Sequence, residues 1–122
     1  MSHYDHGRRF EWVVRDYLAD NGYSVIRAAG SKGNAKVDLI ALKPGQLVFV
    51  QCKTATGALG PDEWDRLVEV SAWVGAVPVL AAKGGRGQGI LFTRLLGPKR
   101  RGARVQNVEP FVIDELAVVA DV

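Results

Sequence analysis

The chain has 122 residues, of which 48% are hydrophobic and 24% charged, and it contains one cysteine. This composition excludes a disordered or collagen-like chain, and a single cysteine excludes both an internal disulfide framework and a four-cysteine zinc site. A lone cysteine also favours a reducing, cytoplasmic compartment. The longest apolar stretch without a charge, residues 71–82, is too short for a membrane span, which needs about 20 residues.

The net charge is +3, and it is distributed unevenly along the chain. Seven basic residues and no acidic ones lie within residues 83–104, whereas four acidic residues and no basic ones lie from Glu109 to the end. Segregated charge of this kind produces a one-sided positive field that suits a polyanion such as nucleic acid. The alternative is a solvated basic loop that serves solubility alone.

The first predicted element is a helix over residues 5–21, followed by a strand over residues 23–27. Five apolar residues of the helix recur on one face at helical spacing: Phe10, Val13, Val14, Tyr17 and Leu18. Residues 28–36 are small, polar and basic, which predicts a loop.

Two further strands, residues 37–42 and 47–53, flank the turn dipeptide Pro44-Gly45 and predict a tight hairpin. A second helix begins at Pro61, and its early acidic residues suit a helix N-terminus. Strands over residues 77–82 and 90–95 follow, and residues 105–112 are compatible with another short strand. Both faces of the hairpin are apolar in the middle, so both must be covered. The sequence therefore predicts one α/β domain over residues 1–122, with a mixed five-stranded sheet and helices on both faces.

The hairpin also places polar residues together at one end. A symmetric turn pairs Ile40 with Phe49 and brings Asp38 opposite Gln51, and strand alternation places Lys53 on the same face as Gln51. Aspartate is disfavoured in strands, which suggests a functional role. A plain ion pair between Asp38 and Lys53 at the rim of the sheet is equally compatible with this geometry.

Glu11 lies at the margin of the helical stripe, about 100° round from Phe10, from where it can reach the sheet. A helix carboxylate above Asp38 can hold a divalent cation, because hard cations prefer oxygen ligands. Lys53 can then stabilise the charge on a phosphate or orient a water. The alternative for Glu11 is an exposed pair with Arg15, one helical turn later.

Several stretches also match a known pattern in order and spacing: Gly7 with Glu11, then IRAAGSKGNAKVDLIAL, VFVQCK and DRLVEVSAWVGAVPVLAAK. Over residues 7–83 the chain resembles the archaeal-type Holliday-junction resolvases, small homodimeric nucleases of the PD-(D/E)XK superfamily. The resemblance implies a restriction-endonuclease-like fold and metal-dependent hydrolysis of phosphodiester bonds in four-way junction DNA. It also implies a homodimer in the cytoplasm, working on nucleoid DNA, with Mg²⁺ as cofactor and Mn²⁺ as a substitute.

Carried over residue by residue, the resemblance assigns catalytic roles to Glu11, Asp38, Ser31 and Lys53, with Glu11 and Asp38 as metal ligands. The chain departs from the family at Gln51, where the family normally has a glutamate ligand. An amide oxygen can coordinate Mg²⁺ but brings no charge.

The backbone carbonyl of Cys52 is a further candidate ligand for the metal, although its side chain is expected to be a small core residue. Five basic residues are candidate phosphate contacts, together with Ser31: Arg8, Arg9, Arg27, Lys32 and Lys36.

Two alternative functions remain open from the sequence. One is another nuclease of the same superfamily, acting on DNA ends or damaged DNA. The other is a junction-binding module that has lost cleavage, with Gln51 as the trace of that loss.

Overall fold

The structure, a computed structural model, describes residues 3–28, 37–54 and 59–113. Two helices and six strands follow in the order α1 (His3–Asp20), β1 (Ser24–Arg27), β2 (Leu39–Lys43), β3 (Gln46–Lys53), α2 (Pro61–Val74), β4 (Val77–Lys83), β5 (Ile90–Leu95) and β6 (Val108–Pro110). The strands lie side by side in chain order. All neighbours are antiparallel except β3 and β4, which run parallel.

The predicted mixed sheet with helices on both faces is confirmed, but it has six strands rather than five. The sixth strand is β6, three exposed residues within the 105–112 segment that is compatible with a short strand in the sequence; it pairs with the end of β5 through Leu95 and Val108. A segment of three residues is too short to show a period-two pattern, and it becomes a strand by pairing with the free edge of β5. Neither helix in the described part of the chain is long and apolar enough to cross a membrane.

The β2–β3 hairpin has the predicted register, with Lys43 opposite Gln46 and Ile40 opposite Phe49. Gly45 adopts a positive φ of 76° in the turn, a conformation that glycine reaches without steric cost. A hairpin with this fixed register also fixes which face each side chain occupies.

Each face of the sheet packs against one helix. On one face, α1 buries Phe10, Val14 and Leu18 against a layer from the central strands: Leu39, Ala41, Val48, Val50, Val79 and Ala81. On the other face, α2 buries Trp64, Leu67 and Val70 with Leu80 and Ala82. Of the residues predicted for the inner stripe of α1, Val13 and Tyr17 are more exposed than expected because the buried stripe is narrower.

Alternation breaks at the start of β2. By strand alternation Val37 would share a face with Leu39 under α1, but it packs in the α2 cluster instead. The cause is Asp38, which precedes the strand and whose backbone N–H donates to the carbonyl of Val50 at 2.8 Å. The expected pairing therefore ends at Leu39 and Val50, and Asp38 occupies an irregular position beside the ladder.

The β3–α2–β4 segment is a parallel crossover, and it determines where the site lies. Gly60 caps α2, Pro61 starts it, and Gly75 ends it with a left-handed φ of 70°. In such a unit the helix starts close to the end of the strand before it. The first turn of α2 therefore lies beside Lys53.

The segment after β5 holds α2 in place from outside. The indole N–H of Trp64 donates to the carbonyl of Gly97 at 2.8 Å. The Lys99 backbone N–H donates to Asp65 at 2.8 Å, and its ammonium donates to the carbonyl of Leu59 at 2.7 Å. These bonds fix the N-terminal half of α2 and the loop before it.

Candidate active site

Asp38 lies at the centre of the candidate site, and the backbone around it holds it firmly. Its carboxylate Oδ2 accepts the backbone N–H of Cys52 at 2.8 Å, and its carbonyl accepts the N–H of Ala28 at 2.9 Å. The carboxylate thus takes the place of a ladder partner for β3. This use of the side chain explains why an aspartate is tolerated at the start of a strand.

Burial raises the pKa of Asp38, although the hydrogen bond from Cys52 acts in the opposite direction. The neighbouring carboxylates of Glu11 and Glu63 also raise it, whereas the ammonium of Lys53 lowers it. Three carboxylates and a lysine therefore share one electrostatic environment at this end of the sheet. Such a gathering of acids carries an electrostatic cost that a bound cation relieves.

Lys53 forms the closest ion pair of the site. Its Nζ lies 2.8 Å from Oε2 of Glu63, on the first turn of α2. The same oxygen accepts a hydrogen bond from Nε2 of Gln51 at 3.4 Å. Glu63 therefore links the two polar side chains at the end of β3.

Gln51 is buried, with 7% of its surface exposed, and its amide is only half satisfied. The nitrogen donates to Glu63, but Oε1 has no hydrogen-bond partner within the residues that the structure describes. A buried carbonyl oxygen without a partner is costly unless something else contacts it. It is a ready ligand for a hard cation.

Glu11 forms the second ion pair, on the α1 side of the sheet. Its Oε2 lies 3.3 Å from a guanidinium nitrogen of Arg27, and both side chains are largely buried. The predicted position at the margin of the α1 stripe is consistent with this placement. The alternative pair with Arg15 does not form, because Arg15 pairs with Asp16 at 2.9 Å.

The structure thus brings Glu11, Asp38, Gln51 and Lys53 together, as the sequence predicted, and it adds Arg27 through Glu11. Cys52 contributes its backbone N–H to Asp38, while burial and the nearby carboxylates raise the pKa of its thiol. The predicted roles of Ser31, Lys32 and Lys36 lie outside the described residues.

Glu63 is the site residue that sequence reasoning missed. In the sequence it is one of several acids near the start of α2, and Asp62, Glu63 and Asp65 are equivalent in the field of the helix. The orientation of α2 separates them: the Glu63 side chain is 33% exposed and faces Lys53, whereas that of Asp62 is fully exposed. The available signal was the parallel crossover, which places the first turn of α2 beside the end of β3.

The site offers enough oxygen ligands for a hard divalent cation only if amide oxygens are counted together with carboxylates. Among the described residues, His, Cys, Asp and Glu side chains alone form no metal-binding group of three. The carboxylate of Asp38 and the unpaired oxygen of Gln51 are nevertheless oxygen donors of the kind that Mg²⁺ binds, and water and phosphate oxygens commonly complete its shell.

A groove with a volume of about 610 Å³ lies beside the site. Its lining includes Arg9 of α1, Thr54 after β3 and Lys83 at the end of β4. The rest of the lining is Gly89 and three apolar residues, Phe10, Val13 and Ile90, so the groove offers two basic side chains and a hydroxyl on a largely apolar wall. Arg9, one of the predicted phosphate contacts, lines this groove, and Arg8 lies next to it on α1.

The basic stretch of residues 83–104 divides into two groups. Arg101 turns back to α2, at 3.1 Å from Asp65 and 3.7 Å from Asp62, and Lys99 is bonded to the same region. Lys83, Arg86 and Arg104 are exposed and form no ion pair with any residue that the structure describes. Charge counting along the sequence could not separate these groups, because the acids that pair with Arg101 lie about 40 residues earlier.

A mixed sheet covered by a helix on each face has the architecture of the restriction-endonuclease-like fold. Within that class, the chain belongs to the archaeal Holliday junction resolvase family, whose model matches residues 2–114. The family match thus extends well beyond residues 7–83, the range of the resemblance seen in the sequence, and includes β5 and β6.

Two individual proteins illustrate this relationship. The crossover junction endodeoxyribonuclease Hjc of Methanocaldococcus jannaschii is 36% identical over 83 residues, which cover 66% of this chain and 60% of that relative. The chain therefore matches less than two thirds of the relative's length. The structure of Archaeoglobus fulgidus Hjc, a Holliday junction resolvase from an archaeal hyperthermophile, superposes with a TM-score of 0.63 at 24% identity, covering 93% of this chain and 87% of that one.

Proposed function

We propose that this protein is a Mg²⁺-dependent endonuclease that cleaves phosphodiester bonds in four-way DNA junctions. The observation that carries the proposal is the cluster of Asp38, Gln51 and Lys53 at one end of the β2–β3 hairpin, in a chain of the resolvase family. An acid and an oxygen-donating amide can hold the metal ion that assists hydrolysis of a phosphodiester, and a lysine can stabilise the negative charge that develops on the phosphate.

In this proposal Asp38 and Gln51 hold the metal ion through their oxygens, and Glu11, the third predicted ligand, lies close enough to Asp38 to act on the same site. A bound Mg²⁺ would supply Lewis-acid stabilisation of phosphoryl oxygens and lower the pKa of a bound water. The ammonium of Lys53 stabilises negative charge as it develops on the phosphate or orients the attacking water. The carbonyl of Cys52 is available as a further ligand.

The groove lined by Arg9 and Lys83 is the proposed path of the DNA backbone next to the cluster. Contacts to phosphates position a duplex without reading its sequence, which suits an enzyme that recognises the shape of a junction. Arg8, Arg27, Ser31, Lys32 and Lys36 remain proposed contacts in the same role.

A homodimer is part of the proposal, because a four-way junction has approximate two-fold symmetry and its resolution needs two cuts. Each chain carries one cluster, so two chains supply both cuts. Bulky apolar side chains on the helices are consistent with an interface: Trp73 is 65% exposed and Val74 is 57% exposed. We place this activity in the cytoplasm, on the DNA of the nucleoid.

The test is a cleavage assay on three labelled DNAs that share arm sequences: a four-way junction, a linear duplex and a flap. We expect paired nicks in the junction with Mg²⁺ or Mn²⁺, and none with a chelator. Sedimentation of the protein alone should show a dimer. Preferential cutting of the flap or of duplex ends would instead identify another nuclease of this superfamily.

A second candidate is a junction-binding module without cleavage, and the neutral Gln51 in the cluster favours it. This candidate predicts tight junction binding with no nicks in either metal over long incubation. Cleavage that Asp38→Asn abolishes would exclude it.

A further inference from the structure

We propose that Glu63, at the start of α2, is a catalytic residue of this nuclease and supplies to the metal site the carboxylate that β3 lacks at Gln51. The inference deepens the proposed function and rests on it. In this arrangement the second anionic ligand lies on α2, the helix that follows β3, and not on β3 itself. The site then draws its charges from Asp38 before β2 and from Glu63 on α2.

Glu63 is in direct contact with Gln51. Oε2 of Glu63 accepts the hydrogen bond from Nε2 of Gln51 at 3.4 Å. A carboxylate can only accept, so it fixes which end of the amide points towards it. The amide oxygen is thereby directed elsewhere, and it is the atom that has no partner within the described residues. Glu63 thus prepares Gln51 Oε1 for a cation.

Glu63 also determines the net charge of the cluster. Without Glu63, the acids Asp38 and Glu11 are matched by the bases Lys53 and Arg27, and the cluster has no excess negative charge for a divalent ion. Glu63 provides that excess. It belongs to the same electrostatic cluster, because its carboxylate acts on Asp38 as well as on Lys53.

The position of Glu63 in the fold also suits a metal ligand. Glu63 lies on the first turn of a helix that is bonded to the chain after β5 through Trp64 and Asp65. Its backbone is therefore fixed, while the side chain is one-third exposed and can turn between Lys53 and a bound ion. A simple structural role, in which Glu63 only holds Lys53, is the competing explanation.

The experiment uses the full chain and a charge relocation. The variants are Glu63→Gln, Gln51→Glu, the double variant with both changes, and Glu63→Asp, which keeps the charge on a shorter side chain. Glu69→Gln is the matched control, because Glu69 is on the same helix and pairs at the surface with Arg66. Mn²⁺ binding is measured by electron paramagnetic resonance with an uncleavable junction present, and Mg²⁺ titrations of cleavage are run alongside.

We expect Glu63→Gln to weaken Mn²⁺ binding at least about 10-fold and to raise the Mg²⁺ concentration for half-maximal cleavage to a similar degree, the loss typical of groups that support a metal site. Glu63→Asp should bind Mn²⁺ more tightly than Glu63→Gln does and less tightly than the starting protein does. The double variant should regain most of the affinity, because the charge is back at the end of β3. Glu69→Gln should behave like the starting protein.

Unchanged Mn²⁺ binding by Glu63→Gln would overturn the proposal, and so would a double variant as weak as Glu63→Gln. If Glu63→Gln slows cleavage but binds Mn²⁺ normally, Glu63 only positions Lys53. A protein that never cuts the junction but loses Mn²⁺ affinity on Glu63→Gln would retain this metal site while the proposed nuclease function fails. Thermal unfolding in chelator checks that every variant is folded.

Discussion

The two faces of the sheet each bring one acid to Asp38, and the two acids are held differently. On the α1 side, Glu11 pairs at 3.3 Å with Arg27 of the edge strand β1. On the α2 side, Glu63 pairs at 2.8 Å with Lys53 of the central strand β3, and it also contacts Gln51. The groups suited to bond cleavage are therefore concentrated on the α2 side, whereas the α1 side supplies a charge held by a guanidinium.

The two sides differ because arginine and lysine hold a carboxylate in different ways. A guanidinium is always charged and forms planar, directional hydrogen bonds, which suits it to hold a carboxylate in place. A lysine ammonium is a compact point charge on a flexible stem, and it can move from a protein carboxylate to a phosphate. The difference predicts that Arg27 acts mainly as a support and Lys53 as a reacting group.

The largest effect is expected from changing Asp38, the residue on which the acids of both sides act. Asp38→Asn should lower cleavage at least about 100-fold, beyond the loss typical of a supporting group at a metal site. Its amide oxygen can still accept the Cys52 N–H, so the fold should persist. Junction binding without metal should be kept or become tighter, because a negative charge next to the DNA is removed. Parallel cleavage and gel-shift measurements test this, and full cleavage by the variant would place the active site elsewhere.

The next prediction tests the asymmetry itself. Lys53→Ala should lower kcat about 100-fold, the scale for losing one group that stabilises developing charge. Arg27→Ala should lower cleavage less, and part of its effect should appear as weaker DNA binding. Single-turnover rates and junction affinities of both variants separate the two steps. Equal losses in the chemical step would show that the two sides are equivalent.

Most of the hairpin could be predicted from the sequence. Pro44-Gly45 fixes the turn, and a symmetric turn fixes the register as far as Leu39 and Val50. Asp38, Gln51 and Lys53 lie at one end of the hairpin as predicted, but Asp38 does not pair with Gln51, because its backbone N–H donates to Val50. What failed was strict alternation beyond Leu39. The Asp38 carboxylate competes with the backbone for the N–H of Cys52, and a side chain that takes over a ladder bond leaves no mark on hydrophobic periodicity.

Contacts between distant segments could not be predicted in the same way. The pairing of Lys53 with Glu63 depends on the angle at which α2 leaves the crossover, and that angle depends on Trp64 and Leu67 packing against the sheet. The pairing of Arg101 with Asp65 depends on the course of the chain after β5. Neither contact follows from a local period, so acids and bases that look interchangeable in the sequence have different partners in the fold.

A third prediction concerns pH and the metal-free protein. The pKa of Asp38 is raised from 3.8, chiefly by burial, so the folded state binds its proton more tightly than the unfolded chain. The stabilisation from that proton is complete below the unfolded pKa and is lost as pH rises through the folded one. Asp38→Asn, which does not titrate, should therefore gain thermal stability relative to the starting protein as pH rises above about 4.

Thermal unfolding in chelator across pH 3 to 8 measures this difference. Mg²⁺ together with junction DNA should reduce it, because ligands that bind only the folded starting protein stabilise that protein. A difference that stays constant with pH would mean that Asp38 does not titrate differently in the folded and unfolded states.

The smallest expected effect tests whether the basic chain after β5 supports α2 or binds DNA. Arg101 is paired with Asp65 and Asp62, whereas Arg104, three residues later, forms no ion pair within the described residues. Arg101→Ala should cost less than about 1 kcal/mol of stability, because the pair is largely exposed and screened by solvent. It should leave the salt dependence of junction binding nearly unchanged.

Arg104→Ala is the matched substitution and should give the opposite result. If Arg104 contacts a phosphate, its removal should lower the slope of log K against log salt by about 0.9 without affecting stability. Titrations of both variants at several salt concentrations, with unfolding curves, give the two quantities side by side. If Arg101→Ala flattens the slope as much as Arg104→Ala does, the whole basic segment faces the DNA. The ion pairs with α2 then yield to phosphate when the junction binds.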